Sequence, residues 1–329
     1  MPLPLSLLDL AQVSSGETPH DSLTFSVQLA QRAEELGYTR VWYAEHHNMR
    51  SIASSATSVL IAHVAAHTRR IRLGSGGIML PNHAPLLIAE QFGTLETLHP
   101  GRIDLGLGRA PGSDQQTMRA LRRDPRSADR FPEDVLELQG YLTGESRIPG
   151  VDAVPGKGTN VPLFILGSSL FGAKLAAALG LPYSFASHFA PDALVEAVAT
   201  YRREFRPSTQ LAEPYVIAGV NVIATDTAEE AAEQFHQAKR KRVKLLLGGG
   251  RRLSESEIDE VLASPAGQQV ERMVRYSAVG TPHEAVDHLA WFAGHADADE
   301  LILAPAGVDR KVNLRSLELV AEAHGLTPA

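Results

Sequence analysis

The chain has no cysteine among its 329 residues. This absence excludes disulfide bonds, thiolate metal sites and a cysteine nucleophile. No apolar run approaches the ~18 residues that a membrane span needs. The net charge of -7, with basic residues mostly dispersed, argues against a nucleic-acid surface. The short apolar N-terminus lacks the basic region and cleavage site of a signal peptide, so we expect a cytoplasmic protein.

Apolar strand-like runs alternate with amphipathic helical runs along the chain. Each strand-like run is apolar throughout, which is typical of buried parallel strands. The predicted strands are Leu3–Leu8, Arg40–Ala44, Ile71–Leu80, Arg102–Gly106, Pro162–Leu166, Pro182–Ala186, Tyr215–Ala224 and Glu300–Ala304. Eight strand–helix units predict an α/β fold, a (β/α)8 TIM barrel with insertions after strands 4 and 7, in one domain spanning residues 1–329. A doubly wound open sheet is the alternative, but the number of strand–helix units, eight, favours a closed barrel.

The second predicted strand ends in Glu45-His46-His47, one carboxylate followed by two imidazoles. In α/β barrels the active site lies at the carboxyl ends of the strands. Histidine titrates near neutral pH, and a neighbouring glutamate can fix its tautomer or raise its pKa. We therefore take this segment as a candidate catalytic site. A solvated polar strand end is the alternative for the segment considered alone.

The third predicted strand is interrupted by Ser75, Gly76 and Gly77 within an otherwise aliphatic run. Glycine in a strand removes side chains where a flat ligand or another backbone must come close. A bulge or corner of the barrel is the alternative reading of the same residues.

The fifth predicted strand leads through Gly167, Ser168 and Ser169 into a helix. Amides and hydroxyls at a helix N-terminus favour an anion or a phosphate, although an ordinary serine cap is the alternative. Arg109, after strand 4, could supply the matching cation. Together with the glycines of strand 3, these residues indicate a flat cofactor that carries a phosphate. The chain has neither a Gly-x-Gly-x-x-Gly motif after strand 1 nor a P-loop, which disfavours a Rossmann dinucleotide site.

Six ordered blocks extend over nearly the whole chain. They are GYTRVWYAEHH (37–47), IRLGSGGIMLP (71–81), PLLIAEQ (85–91), HPGRIDLGLGR (99–109), ALGLP (178–182) and VGTP (279–282). Together they resemble the bacterial luciferase-like, flavin-dependent monooxygenases. The run PYSFASHF (182–189) is most similar to the subgroup called luciferase family oxidoreductases.

The resemblance implies a (β/α)8 barrel that uses reduced FMN and molecular oxygen. The pair Gly76–Gly77 would lie against the flavin ring, where family members often have a non-prolyl cis peptide. Arg109 and Ser169, with the amides around Ser168, would bind the FMN phosphate. His188, after strand 6, is included among the cofactor-binding residues.

The resemblance also assigns catalytic roles. His46 would lie near the reacting edge of the flavin and act as an acid or base in the reaction with oxygen or on the substrate. Glu45 would orient His46. Gly108 stands where light-emitting members carry a reactive cysteine, so light emission is not expected. The insertion Gly248–Tyr276 corresponds to the mobile lid of the family and is predicted as a flexible loop.

We expect a separate NAD(P)H:flavin reductase to supply FMNH2, because no nicotinamide site is evident. We expect a homodimer through helices 2 and 3, and a small organic substrate in a largely apolar pocket lined by Leu7, Tyr43, Met79 and Phe189. Three alternatives stay open. They are a coenzyme F420-dependent oxidoreductase of the same superfamily, a flavin-binding relative without oxygenase activity, and a metal-dependent barrel hydrolase using Glu45, His46, His47 and His83.

Overall fold

Within the residues that the computed structural model describes (3–14, 16–110, 114–247 and 253–328), nine parallel strands form one sheet. They are β1 Leu5–Asp9, β2 Arg40–Tyr43, β3 Arg72–Met79, β4 Ile103–Gly108, β5 Leu163–Gly167, β6 Tyr183–Phe185, β7 Val216–Ala224, β8 Ser277–Gly280 and β9 Glu300–Pro305. Strands β1 to β7 and β9 close into a barrel, since β6 pairs with β7 and β9 lies between β7 and β1. The predicted (β/α)8 barrel is confirmed. Strand β8 pairs with β7 beside the barrel and was not predicted.

Helices surround the barrel. They are α1 Pro19–Leu36, α2 Thr57–Ala65, α3 Pro85–Leu98, α4 Gln115–Ala120, α5 Phe131–Thr143, α6 Leu170–Leu179, α7 Leu194–Glu204, α8 Ala228–Leu247, α9 Glu255–Leu262, α10 Pro265–Met273, α11 Pro282–Ala296 and α12 Arg310–His324. Sequence signals account for their ends: α1 begins at a capping box of Thr18 and Asp21 and ends at Gly37 with φ of 89°. Among the described residues, we find no helix with the length and apolar character of a membrane span.

The predicted loop at Gly248–Tyr276 is only partly described. Residues 248–252, with the glycine cluster and Arg251-Arg252, lie outside the described residues, and most of the remainder forms α9 and α10 rather than a loop. A capping box of Ser254 and Glu257 starts α9. Ile258 and Val270 then pack on Val243 of α8 in a small apolar cluster. This buried contact explains why the segment is helical, since amphipathic helices gain most of their stability from packing.

Polar side chains form a buried network at the amino ends of the strands. The Arg40 guanidinium donates to Glu300 at 2.9 and 3.0 Å and to Asp104 at 2.7 Å, which links β2 to β9 and β4. The Ser6 hydroxyl and the Tyr215 hydroxyl also donate to Glu300, at 2.5 and 2.7 Å. Burial disfavours the charge on Arg40, but the two carboxylates outweigh burial and raise its pKa. This network forms the floor of the barrel.

An apolar layer lies inside the barrel above this floor. It is a cluster of Leu8, Trp42, Ala44, Phe164, Ile217 and Ile302. The Trp42 and Phe164 rings meet edge to face with centroids 5.0 Å apart. The Trp42 indole also donates to Asp104 at 3.1 Å, so the apolar layer is fixed to the network below it. The strands therefore leave space only at their carboxyl ends.

We predict that Arg40→Met lowers the free energy of unfolding by about 3–5 kcal/mol, because it leaves the buried Glu300 carboxylate without a cation and leaves Asp104 with Arg72 alone. The matched control is Arg126→Met, since Arg126 pairs with Asp124 but is 84% exposed. The control should change stability by less than about 0.5 kcal/mol. Urea denaturation of both variants checks this, and equal effects would contradict the role of the network.

Candidate functional site

A cavity of about 520 Å³ opens at the carboxyl ends of the barrel strands. This volume lies within the range of about 300–1,000 Å³ that is typical of small-molecule sites. Eight of the ten predicted site residues line it: His46, Gly76, Gly77, Arg109, Gly167, Ser168, Ser169 and His188. Glu45 and Ser75 are not among the lining residues.

The glycines of β3 lie in the cavity wall, and neighbouring residues lie too close to them to leave room for a side chain. The Gly76–Gly77 peptide is cis, as the resemblance implied. The pairing of β3 with β4 shifts register between Ser75 and Ile78, so the bulge that was an alternative is present. A Cβ on Gly77 would lie 2.7 Å from the Gly106 carbonyl oxygen. The glycines are therefore needed by the wall itself, and they also leave its cavity face flat.

Ser75 is turned away from the cavity. It is fully buried, and its hydroxyl donates to the Gly106 carbonyl oxygen at 2.8 Å. The prediction that Ser75 binds the cofactor therefore does not match its position, because successive strand residues point to opposite faces. Its side chain joins β3 to β4 instead.

One end of the cavity suits an anion. Ser169 is the N-cap residue of α6, but its hydroxyl makes no capping hydrogen bond, unlike the ordinary cap that was the alternative. The Tyr183 hydroxyl donates a hydrogen bond to the Ser169 carbonyl oxygen at 3.1 Å and so fixes the turn. The Arg109 guanidinium lies 4.1 Å from the centroid of the Phe171 ring. The amides of a helix N-terminus, serine hydroxyls and a nearby cation form an arrangement that binds phosphate.

Glu45 is the centre of a hydrogen-bonded cluster behind the cavity wall. Its carboxylate accepts from His47 at 2.8 Å, from His83 at 2.9 Å and from the Met79 amide at 3.0 Å. Burial opposes ionisation of this carboxyl, but the hydrogen bonds from His47 and His83 outweigh burial and lower the pKa of Glu45 to about 2. The hydrogen bond that His47 donates to Glu45 raises the pKa of His47. The cluster therefore carries charge and joins β2 to the end of β3.

His46 differs from what the resemblance implied about its partner. Glu45 was expected to orient it, but the Glu45 carboxylate bonds to His47 and His83 instead. The Nδ1 atom of His46 is buried without a hydrogen-bond partner among the described residues. Burial lowers the pKa of His46, only partly opposed by the charge of Glu45. His46 is therefore a neutral imidazole at neutral pH that faces the cavity.

The residues of the hydrolase alternative are partly brought together. Ligand atoms of Glu45, His47 and His83 all lie within 4.8 Å of one another, close enough to consider a metal ion. His46 is not in the group. The Glu45 oxygens already accept three hydrogen bonds, and none of the three residues lines the cavity. The arrangement can act as a hydrogen-bonded support for the strand ends without a metal.

His188 follows β6 and lines the wall of the cavity. Its Nδ1 atom is buried without a partner among the described residues. Burial, with smaller contributions from Arg242 and His46, lowers the pKa of His188 to about 3. The Asn221 side chain donates to the His188 carbonyl oxygen at 2.7 Å and fixes the backbone there. His188 therefore offers the cavity a neutral ring.

Two of the four apolar residues predicted for the pocket lie in its wall, namely Met79 and Phe189. The other two, Leu7 and Tyr43, are fully buried in the layer between strands and helices. Their neighbours Leu8 and Trp42 face the interior instead. For β1 and β2 the predicted lining residue was wrong by one position, and one position along a strand moves the side chain to the opposite face.

The sequence analysis missed the contribution of α8, and it predicted the segment that contains α10 only as a flexible lid loop. Arg242, Leu245 and Leu246 of α8 and Met273 of α10 line the cavity. The α8 residues have the i, i+3, i+4 spacing of one helix face, which is the only signal that could have identified them. Because Arg242 belongs to the basic run Lys239–Lys244, its composition does not distinguish it from surface residues.

Comparisons with known proteins agree over the length of the chain. A family model described as luciferase-like monooxygenase matches residues 3–297. A luciferase-like monooxygenase of Escherichia coli (strain K12) is 47% identical over 320 residues, 96% of each chain. N-acetyl-S-alkylcysteine monooxygenase of Bacillus subtilis (strain 168) is 35% identical over 316 residues, 91% of each chain.

Solved structures share the fold. The crystal structure of apo-MsnO8 has a TM-score of 0.90 at 36% identity, covering 99% of this chain and 100% of that chain. Two more distant structures share the fold alone. One is the oxygenating constituent of 3,6-diketocamphane monooxygenase in complex with FMN, with a TM-score of 0.75 at 16% identity over 100% of this chain and 98% of that chain. The other is an F420-dependent secondary alcohol dehydrogenase, with a TM-score of 0.71 at 16% identity over 98% and 99%.

We predict that Glu45→Gln destabilises the protein in a pH-dependent way. The lowered pKa of Glu45 contributes stability above its ordinary value of 4.5, which is lost as the pH falls toward about 2. The raised pKa of His47 contributes stability below its ordinary value of 6.5, which is lost as the pH rises above its folded value. Both contributions are therefore complete between pH 4.5 and 6.5.

Urea denaturation at about pH 5.5 should show a loss of about 1.5–3 kcal/mol for Glu45→Gln, as expected for hydrogen bonds to a buried charge. The loss should be smaller at about pH 8.5, because the contribution of His47 is lost as the pH rises through its raised pKa. Glu35→Gln is the control, because Glu35 is exposed in its pair with Arg32. An equal loss at both pH values would show that His47 carries no charge in the cluster.

Proposed function

This chain belongs to the luciferase-like monooxygenase family, and from that membership we propose that it is an FMN-dependent monooxygenase that uses FMNH2 and O2 to oxygenate a small organic substrate. The observation that carries the proposal is the joint position of the β3 glycines, Arg109 and the turn before α6 on one cavity. These are a flat wall and an anion site, the two parts that a flavin mononucleotide requires.

The residues fit FMN in the following way. Arg109 and the Ser168–Ser169 turn would bind the phosphate, and the cavity face of Gly76 and Gly77 would lie against the ring. Bound reduced flavin supplies the electrons that activate oxygen. The surrounding wall is mostly apolar, including Leu8, Met79, Phe131, Leu166 and Ile302, and excludes water from the reacting atoms.

His46 would act as the acid or base, because it faces the cavity as a neutral imidazole with a free ring nitrogen. We revise the role of Glu45. It would act as a positioning residue that fixes His47, His83 and the backbone of Met79, and so the end of β3 beside Gly77.

Coenzyme F420 is the second candidate cofactor of this fold. The two curated relatives named above, which are 47% and 35% identical, are called monooxygenases, which favours FMN and oxygen. We further propose a cytoplasmic enzyme that receives FMNH2 from a separate NAD(P)H:flavin reductase. We also propose a homodimer formed through α2 and α3, because Val59, Leu87 and Leu98 are exposed there.

The phosphate site is tested by comparing FMN with riboflavin, which lacks the phosphate. We predict that Arg109→Ala weakens FMN binding by about tenfold or more, the value of one or two charged hydrogen bonds, and changes riboflavin binding by less than about twofold. Quenching of Trp42 fluorescence gives the affinities, because Trp42 lines the cavity.

The control for this experiment is Arg203→Ala, since Arg203 is 64% exposed on α7. It should bind FMN like the unmodified protein. Equal loss of FMN and riboflavin affinity in Arg109→Ala would remove Arg109 from the phosphate site. Tighter binding of coenzyme F420 than of FMN would contradict the proposed cofactor.

We predict that His46→Ala binds photoreduced FMN within about twofold of the unmodified protein. The rate of flavin reoxidation after mixing with air should fall as the pH drops below 6.5 in the unmodified protein, because the lowered pKa of His46 places its protonation there. His46→Ala should lack this pH dependence. His67→Ala, at an exposed histidine, should keep it. An unchanged pH profile in His46→Ala would remove His46 from the reaction.

A further inference from the structure

A cation without a partner lies in the cavity wall. Arg242 of α8 lines the cavity, and within the described residues it forms no hydrogen bond and no ion pair. Its Nη1 atom is buried without a partner. Most other described arginines of the interior have one: Arg40 pairs with two carboxylates and Arg240 with Asp259 and Glu255. A half-buried guanidinium without an acceptor is costly, so its position calls for an anion supplied from outside the chain.

The groups around Arg242 are also unpartnered donors or acceptors. His46 and His188 line the same cavity, and each has a buried Nδ1 atom without a partner among the described residues. Arg242 lies close enough to His188 to repel its protonated form, and His46 does the same. Arg242 and His188 therefore form one polar region in a mostly apolar cavity, and His46 lies within electrostatic reach of His188. A neutral imidazole beside a guanidinium makes a site that favours an anionic group.

This polar region is separate from the proposed phosphate site. Arg109 and Ser169 follow β4 and β5, whereas α8 follows β7, two strands further round the barrel from β5. One cofactor phosphate therefore satisfies one cation and leaves Arg242 for another ligand. The adjacent wall is apolar and includes Met49, Ile52, Leu245, Leu246 and Met273.

We propose that Arg242 binds a carboxylate of the organic substrate, so that the substrates of this enzyme are apolar carboxylic acids held with their anionic end at Arg242 and His188. The inference rests on the proposed monooxygenase function and specifies its substrate class. The apolar part of the substrate packs on the α8 and α10 side chains. The carboxylate fixes the orientation of the substrate, as a few polar groups do in a cavity that is otherwise apolar.

The experiment uses two carboxylate probes of different shape, octanoate and 4-phenylbutyrate, each paired with its neutral amide. They are titrated calorimetrically into the protein saturated with FMN. The unmodified protein should bind at least one carboxylate about tenfold or more tightly than its amide, since a charged pair in a cavity contributes that much. Arg242→Gln should abolish this preference and change amide binding by less than about twofold.

Two further variants control for folding and for charge. Arg242→Lys keeps the charge and should retain most of the preference, which Arg242→Gln loses. Lys244→Gln removes the same charge from α8 at a residue outside the cavity, where Lys244 pairs with Glu255, and should bind the probes like the unmodified protein. Circular dichroism of each variant shows whether it is folded.

The proposal is overturned if neither carboxylate binds more tightly than its amide, or if the preference persists in Arg242→Gln. It is also overturned if Arg242→Gln weakens FMN binding about tenfold and leaves the carboxylate preference intact, because Arg242 would then belong to the flavin site. Failure of the unmodified protein to bind FMN would contradict the proposed cofactor instead. The carboxylate preference would then be measured on the protein without flavin.

Discussion

The ion-pair network around Arg40 is the constraint on which the rest of the barrel depends. It links β2, β4 and β9 at their amino ends through charges that are almost completely buried. Buried charges are stable only as a complete set, so the strands that carry them must be in register. The apolar layer that contains Trp42 fills the barrel interior above the network. The hydrogen bond from the Trp42 indole to Asp104 joins the two. The closed floor leaves the carboxyl ends as the place where a cavity can form.

The cavity combines features that separate positions contribute. The β3 glycines give a flat wall, and Arg109 with the turn before α6 gives an anion site at one end. Glu45 supports this wall from behind, since it holds the Met79 amide, two residues after Gly77, together with His47. A second cation, Arg242, lies elsewhere on the wall near His188. A cavity with two separate cations suits a phosphate-bearing cofactor and an anionic second ligand.

The sequence predicted the eight barrel strands, and eight of its ten predicted site residues line the cavity, because apolar runs and strand-end motifs are local signals. It did not predict the partners of Glu45, since a carboxylate beside two histidines can bond to either and only the fold brings His83 within reach. It placed Leu7 and Tyr43 on the wrong face, because a buried parallel strand is apolar on both faces. Arg242 was missed because its packing depends on how α8 crosses the cavity mouth.

The measurement that tests the central claim most directly is a crystal structure of the protein with FMN bound. The account predicts that the isoalloxazine ring lies against Gly76 and Gly77, with the phosphate between Arg109 and the amides near Ser169. His46 should face the ring, and Arg242 should not contact the phosphate. Density for FMN outside the cavity, or a phosphate bound at Arg242 instead of Arg109, would contradict the account.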